Sequence, residues 1–487
     1  MSKKIWLAVL MVTLVAVPAF ATVQNVKVSG DIDSTWVVRN NFDLGLNQTT
    51  NSNGLKGVAP EVLGDRNQNI FITQTRLKVD AELTENVATT IQLINERPWD
   101  DNDGGDATDV DLCQAFVELR EMLYQPLTVK VGRQHLQYGN SFIIGPGGPN
   151  NIATNTLTGV ADDLTKRTAL DAVKVVLDYN PLTIDGFMAK VDADTVTAVV
   201  DTDDDVDLYG VNANYQLGDD RNTAVEAYFF TKTDKRTSTG GTLGTKTDTV
   251  YVPGLRASTN PIEGLNVQAE VAWQRGNKAT TSTSGADRAD NIQREAMGVQ
   301  LITNYVVPLA ATKKWNPSVM GVYTYVSGDH NTPIAADRGG WASSSEKYTA
   351  WDPMFEDQAG GTIYNTLFDL TNVHIAMASA QVNPIEDVTT KVTWTGMWLD
   401  RKVNTDKYGT SGAGVFNMRQ PNATSPITPV VTSDRGVGYE IDADVSYAYT
   451  EDVSLSVSGG WFVPGDFFDS RNEEIATQFL TSVDVAF

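Results

Sequence analysis

The sequence predicts an all-β fold: a transmembrane antiparallel β-barrel of about 18 strands with short periplasmic turns and long extracellular loops. Three observations predict it. Side chains alternate in character with a period of two along most of the chain, short and long connections alternate between those segments, and the last segment stops in mid-strand on a bare aromatic residue.

The clearest alternation is GYEIDADVSYAY. Tyr439, Ile441, Ala443, Val445, Tyr447 and Tyr449 form an apolar face with tyrosines at both ends, against Glu440, Asp442, Asp444 and Ser446. Ten steps of roughly 3.3 Å give about 33 Å of strand, which a tilt near 40° reduces to a height of roughly 25 Å, the apolar band of an outer-membrane barrel with an aromatic girdle at each edge. DLYGVNANYQL repeats the pattern with Tyr209, Val211, Ala213 and Tyr215 on one face. One such strand suits a soluble sandwich equally well, so the connections decide.

Short polar connections fall at residues 84–86, 123–126, 180–182, 218–222, 260–264, 308–316, 383–387 and 450–452. Long ones cover roughly 40–68, 97–109, 139–168, 193–205, 234–247, 275–291, 328–366, 401–435 and 464–475. Eight short turns and nine long loops make 17 connections and hence about 18 strands, an even number that puts both ends in the periplasm. The ending FLTSVDVAF keeps Phe479, Thr481, Val483, Val485 and Phe487 on one parity. It is expected to close the barrel against a first strand near Val26 to Val38, leaving no open edge in outer-membrane lipid, and to present a terminal signal to the barrel-insertion machinery.

At the other end, MSKKIWLAVLMVTLVAVPAFATVQ carries Lys3 and Lys4, an apolar run from Ile5 to Val17 and the triplet Ala19-Phe20-Ala21. A basic start, a short apolar stretch and an A-x-A site describe a secretory signal peptide over residues 1–21, so the barrel would occupy residues 22–487 in the outer membrane of a Gram-negative bacterium. The formal charge of −24, from 61 acidic and 37 basic residues, makes nucleic acid a poor partner. A mean hydropathy of −0.23 looks soluble, but lipid-facing and lumen-facing residues cancel in a barrel. The single Cys113 reads as a small apolar strand residue. Catalysis has little to work with: His135, His330 and His374 are the only histidines, His374 is read on the inward parity, and no G-x-S-x-G, H-E-x-x-H or P-loop occurs. No cofactor is implied.

Parity names the side chains facing a lumen wide enough for water. On the second strand these are Gln74, Arg76, Lys78, Asp80 and Glu82, and on the next Gln92 and Glu96. Further along they are Glu118, Lys130, Lys174, Glu226, Arg256, Glu270, Arg294, Lys391, Glu440, Asp442 and Asp444. Two roles are open to them: a charged constriction that sorts solutes, or a wall braced by ion pairs between both signs.

VKVGRQHLQYGNSFIIGP, GDH followed by WDPMFEDQAGG, and the final GYEIDADVSYAYTEDVSLSVSGGWFVPGDFF resemble the alginate export family of outer-membrane porins. The matching features are Gly132-Arg133-Gln134 at a strand end, Tyr138-Gly139, and Phe462-Val463-Pro464-Gly465 before the last strand. The resemblance implies an 18-stranded barrel that handles anions or sugars through an arginine-lined constriction, with Arg133 carried over as pore-lining and Gln134 beside it. This chain departs from that pattern in its acidity and in a lumen set of both signs.

The leading expectation is a porin for passive diffusion of small hydrophilic or charged solutes. The alternatives are a sheath around a periplasmic electron carrier or export subunit, and a dedicated polysaccharide exporter. Loops 139–168 and 328–366 could narrow the channel by folding inward. The acidic stretches 100–111 and 192–207 read as a solvated anionic rim. Asp100, Asn102, Gly105 and Asp111 match some positions of a calcium loop, but Gly104 and the final Asp depart from it.

Overall fold

The computed structural model describes residues 25–45, 67–99, 110–146, 161–192, 206–235, 247–279, 291–308, 315–329, 347–358, 360–402, 431–470 and 472–487. The expected leader, the calcium-like stretch 100–109, the acidic loop 193–205 and His330 lie outside the described residues.

The wall begins with β1 (Asn25–Asn40), β2 (Asn67–Thr84), β3 (Val87–Pro98), β4 (Asp111–Arg120), β5 (Leu127–Gln134) and β6 (Leu170–Asp178). It continues through β7 (Leu182–Asp192), β8 (Val206–Gln216), β9 (Ala224–Asp234), β10 (Asp248–Ile262), β11 (Leu265–Ala279) and β12 (Asn291–Val306). Then come β13 (Ser318–Val326), the two-residue β14 (Lys347–Tyr348), β15 (Val373–Ile385), β16 (Val388–Leu399), β17 (Gly436–Ala448), β18 (Val453–Pro464) and β19 (Ala476–Ala486). Every long strand pairs antiparallel with its neighbours, β13 directly with β15, while β14 lies parallel to the upper part of β12. β19 returns to β1 with Asp31 opposite Ala486 and Asn40 opposite Thr477, so the 18 long strands close as expected.

Closure needs a close approach at Gly30. Its N–H and carbonyl exchange hydrogen bonds with Phe487 at 2.8 and 3.0 Å. The Phe487 ring covers it so tightly that a Cβ there would fall 2.7 Å from the ring and 2.5 Å from the Arg76 carbonyl. The short turns sit where the sequence puts them, with small shifts. β10 and β15 run three residues into the predicted turns at 260–264 and 383–387, because a bulge in each pair carries the pairing further.

Alternation appears directly in exposure: Tyr439, Ile441 and Val445 are about two-fifths exposed on the outer face, whereas Glu440 and Asp442 are 0% and 4% exposed on the inner one. The outer face carries the apolar band, including Val28, Leu77, Ile91, Val211, Leu255, Leu301 and Val457. The main apolar core lies inside the wall, toward the extracellular ends of the strands. Inward residues such as Leu170, Phe187, Phe230, Val250, Ile375 and Leu399 pack there against Phe142, Trp351, Phe355 and Phe368 from the loops. Along one strand the inner face is therefore polar below and apolar above.

Candidate functional site

Two loop segments meet within the wall. Residues 136–145 fold back on themselves through Tyr138 N–H to the Ile144 carbonyl at 3.1 Å. They pair with 351–357 through Phe355 N–H to Ile143, Gly145 N–H to Phe355 and Asp357 N–H to Ser141, at 3.1, 2.8 and 2.9 Å. The Phe142 and Trp351 rings stack with centroids 5.5 Å apart. Apolar side chains in both segments make folding inward favourable, since it is the interior of the barrel that removes them from water.

Charged groups fasten these segments to the wall. Asp352 accepts from Lys232 at 2.6 Å and lies 3.7 Å from Arg294, which also donates to Asp248 at 2.8 Å. Burial alone would raise the Asp352 carboxyl, but Lys232 and Arg294 together hold it well below the usual carboxylate range. Gln274 exchanges two hydrogen bonds with the Asp352 backbone, at 2.6 and 2.8 Å. Arg256 bridges Glu226, Gln268 and Asn140 at 3.1, 2.7 and 3.2 Å, and Glu226 also accepts the Gly139 N–H at 3.2 Å.

The short helix α1 (Thr362–Leu367) is held by its first turn. Glu440 accepts the N–H groups of Ile363 and Tyr364 at 2.7 and 2.8 Å, and Asp442 accepts the Thr362 hydroxyl at 2.9 Å. These N–H groups have no partner within the helix, so a buried carboxylate here answers a definite need. Gly361 precedes them at φ 134°, and a Cβ on it would fall 2.5 Å from the Glu440 carboxyl group. Beside the helix, whose Thr366 hydroxyl donates to Asp163 at 3.3 Å, residues 163–166 are tied to the wall in the same manner. Arg39 pairs with Asp163 at 2.6 Å, Gln74 donates to the Leu164 carbonyl at 2.8 Å, and Glu96 accepts the Lys166 N–H at 2.7 Å.

These fasteners divide the side chains singled out from the sequence. Arg76, Lys78, Asp80, Glu82, Glu118 and Lys130 form a ladder on β2, β4 and β5 that is 21–41% exposed. Its members are paired: Arg76 with Asp31 at 2.9 Å, Lys78 with Asp80 at 3.0 Å, and Arg120 with both Glu82 and Glu118 at 3.2 and 2.7 Å. Lys130 reaches Glu118 at 3.2 Å, Lys166 reaches Asp33 at 2.9 Å, and Lys174 reaches Asp185 at 3.2 Å. Lys391 stands opposite Asp444 in register.

Other residues of the inward set sit under the loops. Glu440, Arg294, Gln134, Glu226, Glu270, Asp442 and Gln92 are all no more than 8% exposed. Their side chains are covered by the loop segments and neighbouring side chains, so they brace the interior instead of meeting open water. Gln134, for instance, gives its amide to the carbonyls of Ala172, Gly132 and Lys130.

Two assignments are corrected. Arg133 does not face inward: it stands opposite Asp171 and pairs with it at 3.1 Å, while the flanking Leu170 and Ala172 belong to the inner core. Directly opposed residues share a face, so Arg133 lies on the outer one, at the extracellular end of β5. His374 is likewise outward, because Val373 and Ile375 on either side are in the inner core. Sequence reasoning missed Arg39, Asp31, Arg120, Asp185, Asp248 and Asp352. The first five are charges on strands, and inward parity could have found them; Asp352 lies within a long loop and carried no such signal. Among the described residues no group of three or more His, Cys, Asp or Glu is placed to hold a metal.

No curated protein matches this sequence. The fold resembles OccAB1 of Acinetobacter baumannii at 11% identity, covering 96% of this chain and 98% of the other, with a TM-score of 0.53. It also resembles two Pseudomonas aeruginosa proteins. OccK2 (OpdF), solved in complex with glucuronate, is 9% identical over 96% and 99% of the two chains with a TM-score of 0.50. OpdK, solved with vanillate, is 10% identical over 95% and 99%, also with a TM-score of 0.50. The alginate export family matches residues 25–481. This chain, with an 18-stranded closed barrel of the outer-membrane porin type, therefore belongs to the alginate export family.

Proposed function

We propose that this protein is an outer-membrane porin that lets small hydrophilic or charged solutes, sugars and organic acids among them, diffuse passively along a path through the barrel. The observation that carries the reading is the ladder on β2, β4 and β5, whose side chains stay 21–41% exposed in the periplasmic half of the interior, below the fastened loop segments. Arg76, Lys78, Asp80, Glu82, Glu118 and Lys130 would line that path, with Lys391 and Asp444 toward the periplasmic end. Paired charges of both signs offer hydrogen bonds to a passing solute without trapping it, as conduction requires. Carboxylated solutes such as the glucuronate and vanillate seen in two structurally similar porins are the first to test.

A polysaccharide exporter would be served by a contiguous run of free cations, whereas the ladder cations here have carboxylate partners. The reading includes cleavage after Ala21, insertion through the terminal strand and no catalysis. Liposomes containing the purified barrel should swell in isosmotic glucuronate and in a neutral monosaccharide, but not in a long polysaccharide. Proteoliposomes as impermeable as empty vesicles would refute the reading.

A further inference from the structure

The outer rim between β13 and β17 carries a group of side chains that solute passage does not use. On the outer face the His374 ring stacks on Trp398, with centroids 5.4 Å apart and planes 6° apart. It lies 4.8 Å from the Tyr325 ring, and its Nδ1 is hydrogen-bonded to the Tyr323 hydroxyl at 2.8 Å. Just beyond, toward the extracellular side, Arg401 and Lys402 follow β16 and Arg435 precedes β17, all three exposed. Arg435 donates Nε to the Leu399 carbonyl and Nη2 to the Asp400 carbonyl, at 2.6 and 2.7 Å, which fixes its guanidinium at the rim.

The carboxylates nearby only partly offset these cations. Asp400 lies beside the stacked ring, its Oδ1 3.7 Å from His374 Nε2, and its other oxygen accepts the Gly328 N–H at 2.8 Å and lies 3.4 Å from Arg401 Nε. Asp434 is 4.0 Å from Lys402. Two other rim cations are paired one to one: Arg133 with Asp171 at 3.1 Å and Lys190 with Asp207 at 2.6 Å. In a chain with 61 acidic and 37 basic residues, three clustered cations directly above a lipid-facing aromatic surface stand out.

We infer that this sector docks the phosphorylated saccharide headgroup of an outer-leaflet glycolipid. Arg401, Lys402 and Arg435 take the phosphate, for which a guanidinium fork is well shaped. Trp398, His374 and Tyr325 supply the flat, partly polar surface suited to the boundary between sugar and acyl chain.

The test is native mass spectrometry of the full-length detergent-purified barrel titrated with a bis-phosphorylated glucosamine-disaccharide lipid and with its dephosphorylated form. The wild type should bind the phosphorylated lipid at least tenfold more tightly than the dephosphorylated one. The double variant Arg401→Gln, Lys402→Gln should lose that preference, while Arg133→Gln, Lys190→Gln on the evenly paired part of the rim should keep it. Arg435 is left intact because its hydrogen bonds shape the rim. Equal binding of the two lipids by the wild type would overturn the inference, and that arm needs no variant to fold. Undiminished binding by the double variant would also overturn it, as would displacement of the lipid by inorganic phosphate at comparable concentration, which would mark a simple anion site.

Discussion

Replacing Glu440 by alanine should loosen the loop that carries α1. Docking of residues 361–368 is nearly balanced without this carboxylate. Burying Ile363, Tyr364, Leu367 and Phe368 contributes about 1.5–3 kcal/mol each, so about 6–12 kcal/mol together. Ordering those residues costs about 1–2 kcal/mol apiece, about 8–16 kcal/mol over the segment. The two N–H bonds to the Glu440 carboxyl group, whose loss leaves buried donors unsatisfied at a cost of about 1–3 kcal/mol each, therefore decide whether the segment stays down. Glu440→Ala removes both acceptors from a fully buried site, and a loss on the order of 3 kcal/mol raises the population of the released loop about a hundredfold. Single-channel recording should show more frequent excursions to a higher conductance, with Glu440→Gln intermediate because one acceptor oxygen remains. Traces indistinguishable from wild type in both mean current and noise would refute the reasoning.

Three further outcomes are expected. Lys78→Glu, on the accessible ladder, should shift the reversal potential under a salt gradient toward cation selectivity, whereas Arg133→Glu on the outer face should leave it unchanged; the opposite pattern would undo the corrected assignment of Arg133. Ala443→Arg puts a charge on the lipid face midway between the tyrosines of β17 and should cost about 2–4 kcal/mol, read as a lower midpoint in urea unfolding from lipid vesicles. The Asp352 carboxyl sits below its unfolded value of about 3.9, so its contribution is fully present above that pH and is lost only as pH falls through the lower folded value. Current noise in the wild type should therefore not rise through loss of this clamp between pH 7 and pH 5, while Asp352→Asn should be noisier at both.

The barrel was legible because lipid imposes a strict rule on the strands that cross it. Tyr439 to Tyr447 alternate apolar with polar at every step, and turn length separates the two ends. The inner architecture was much less legible. Loops 139–168 and 328–366 look polar overall, yet Phe142, Ile143, Ile144, Trp351, Phe355, Ile363 and Tyr364 within them are buried, and that apolar content was the available sign of inward folding. Once those loops pack inside, the inner face near the extracellular end becomes apolar and the outer face, beyond the lipid band, becomes charged. The rule "polar means inward" then inverts, which is why Arg133 and His374 were misplaced while Lys78 and Glu118 were not. Arg133 also had the wrong parity relative to Lys130, three residues earlier, and counting by twos would have exposed the conflict.

The most direct test of the account is the current through single purified barrels in a planar bilayer under a salt gradient. A water-filled path beside fastened loops predicts a steady open conductance that is present without any added partner and is smaller than that of a variant freed of residues 351–368. An inserted, correctly folded barrel that stays electrically silent, or one whose current does not change when that segment is removed, would contradict it.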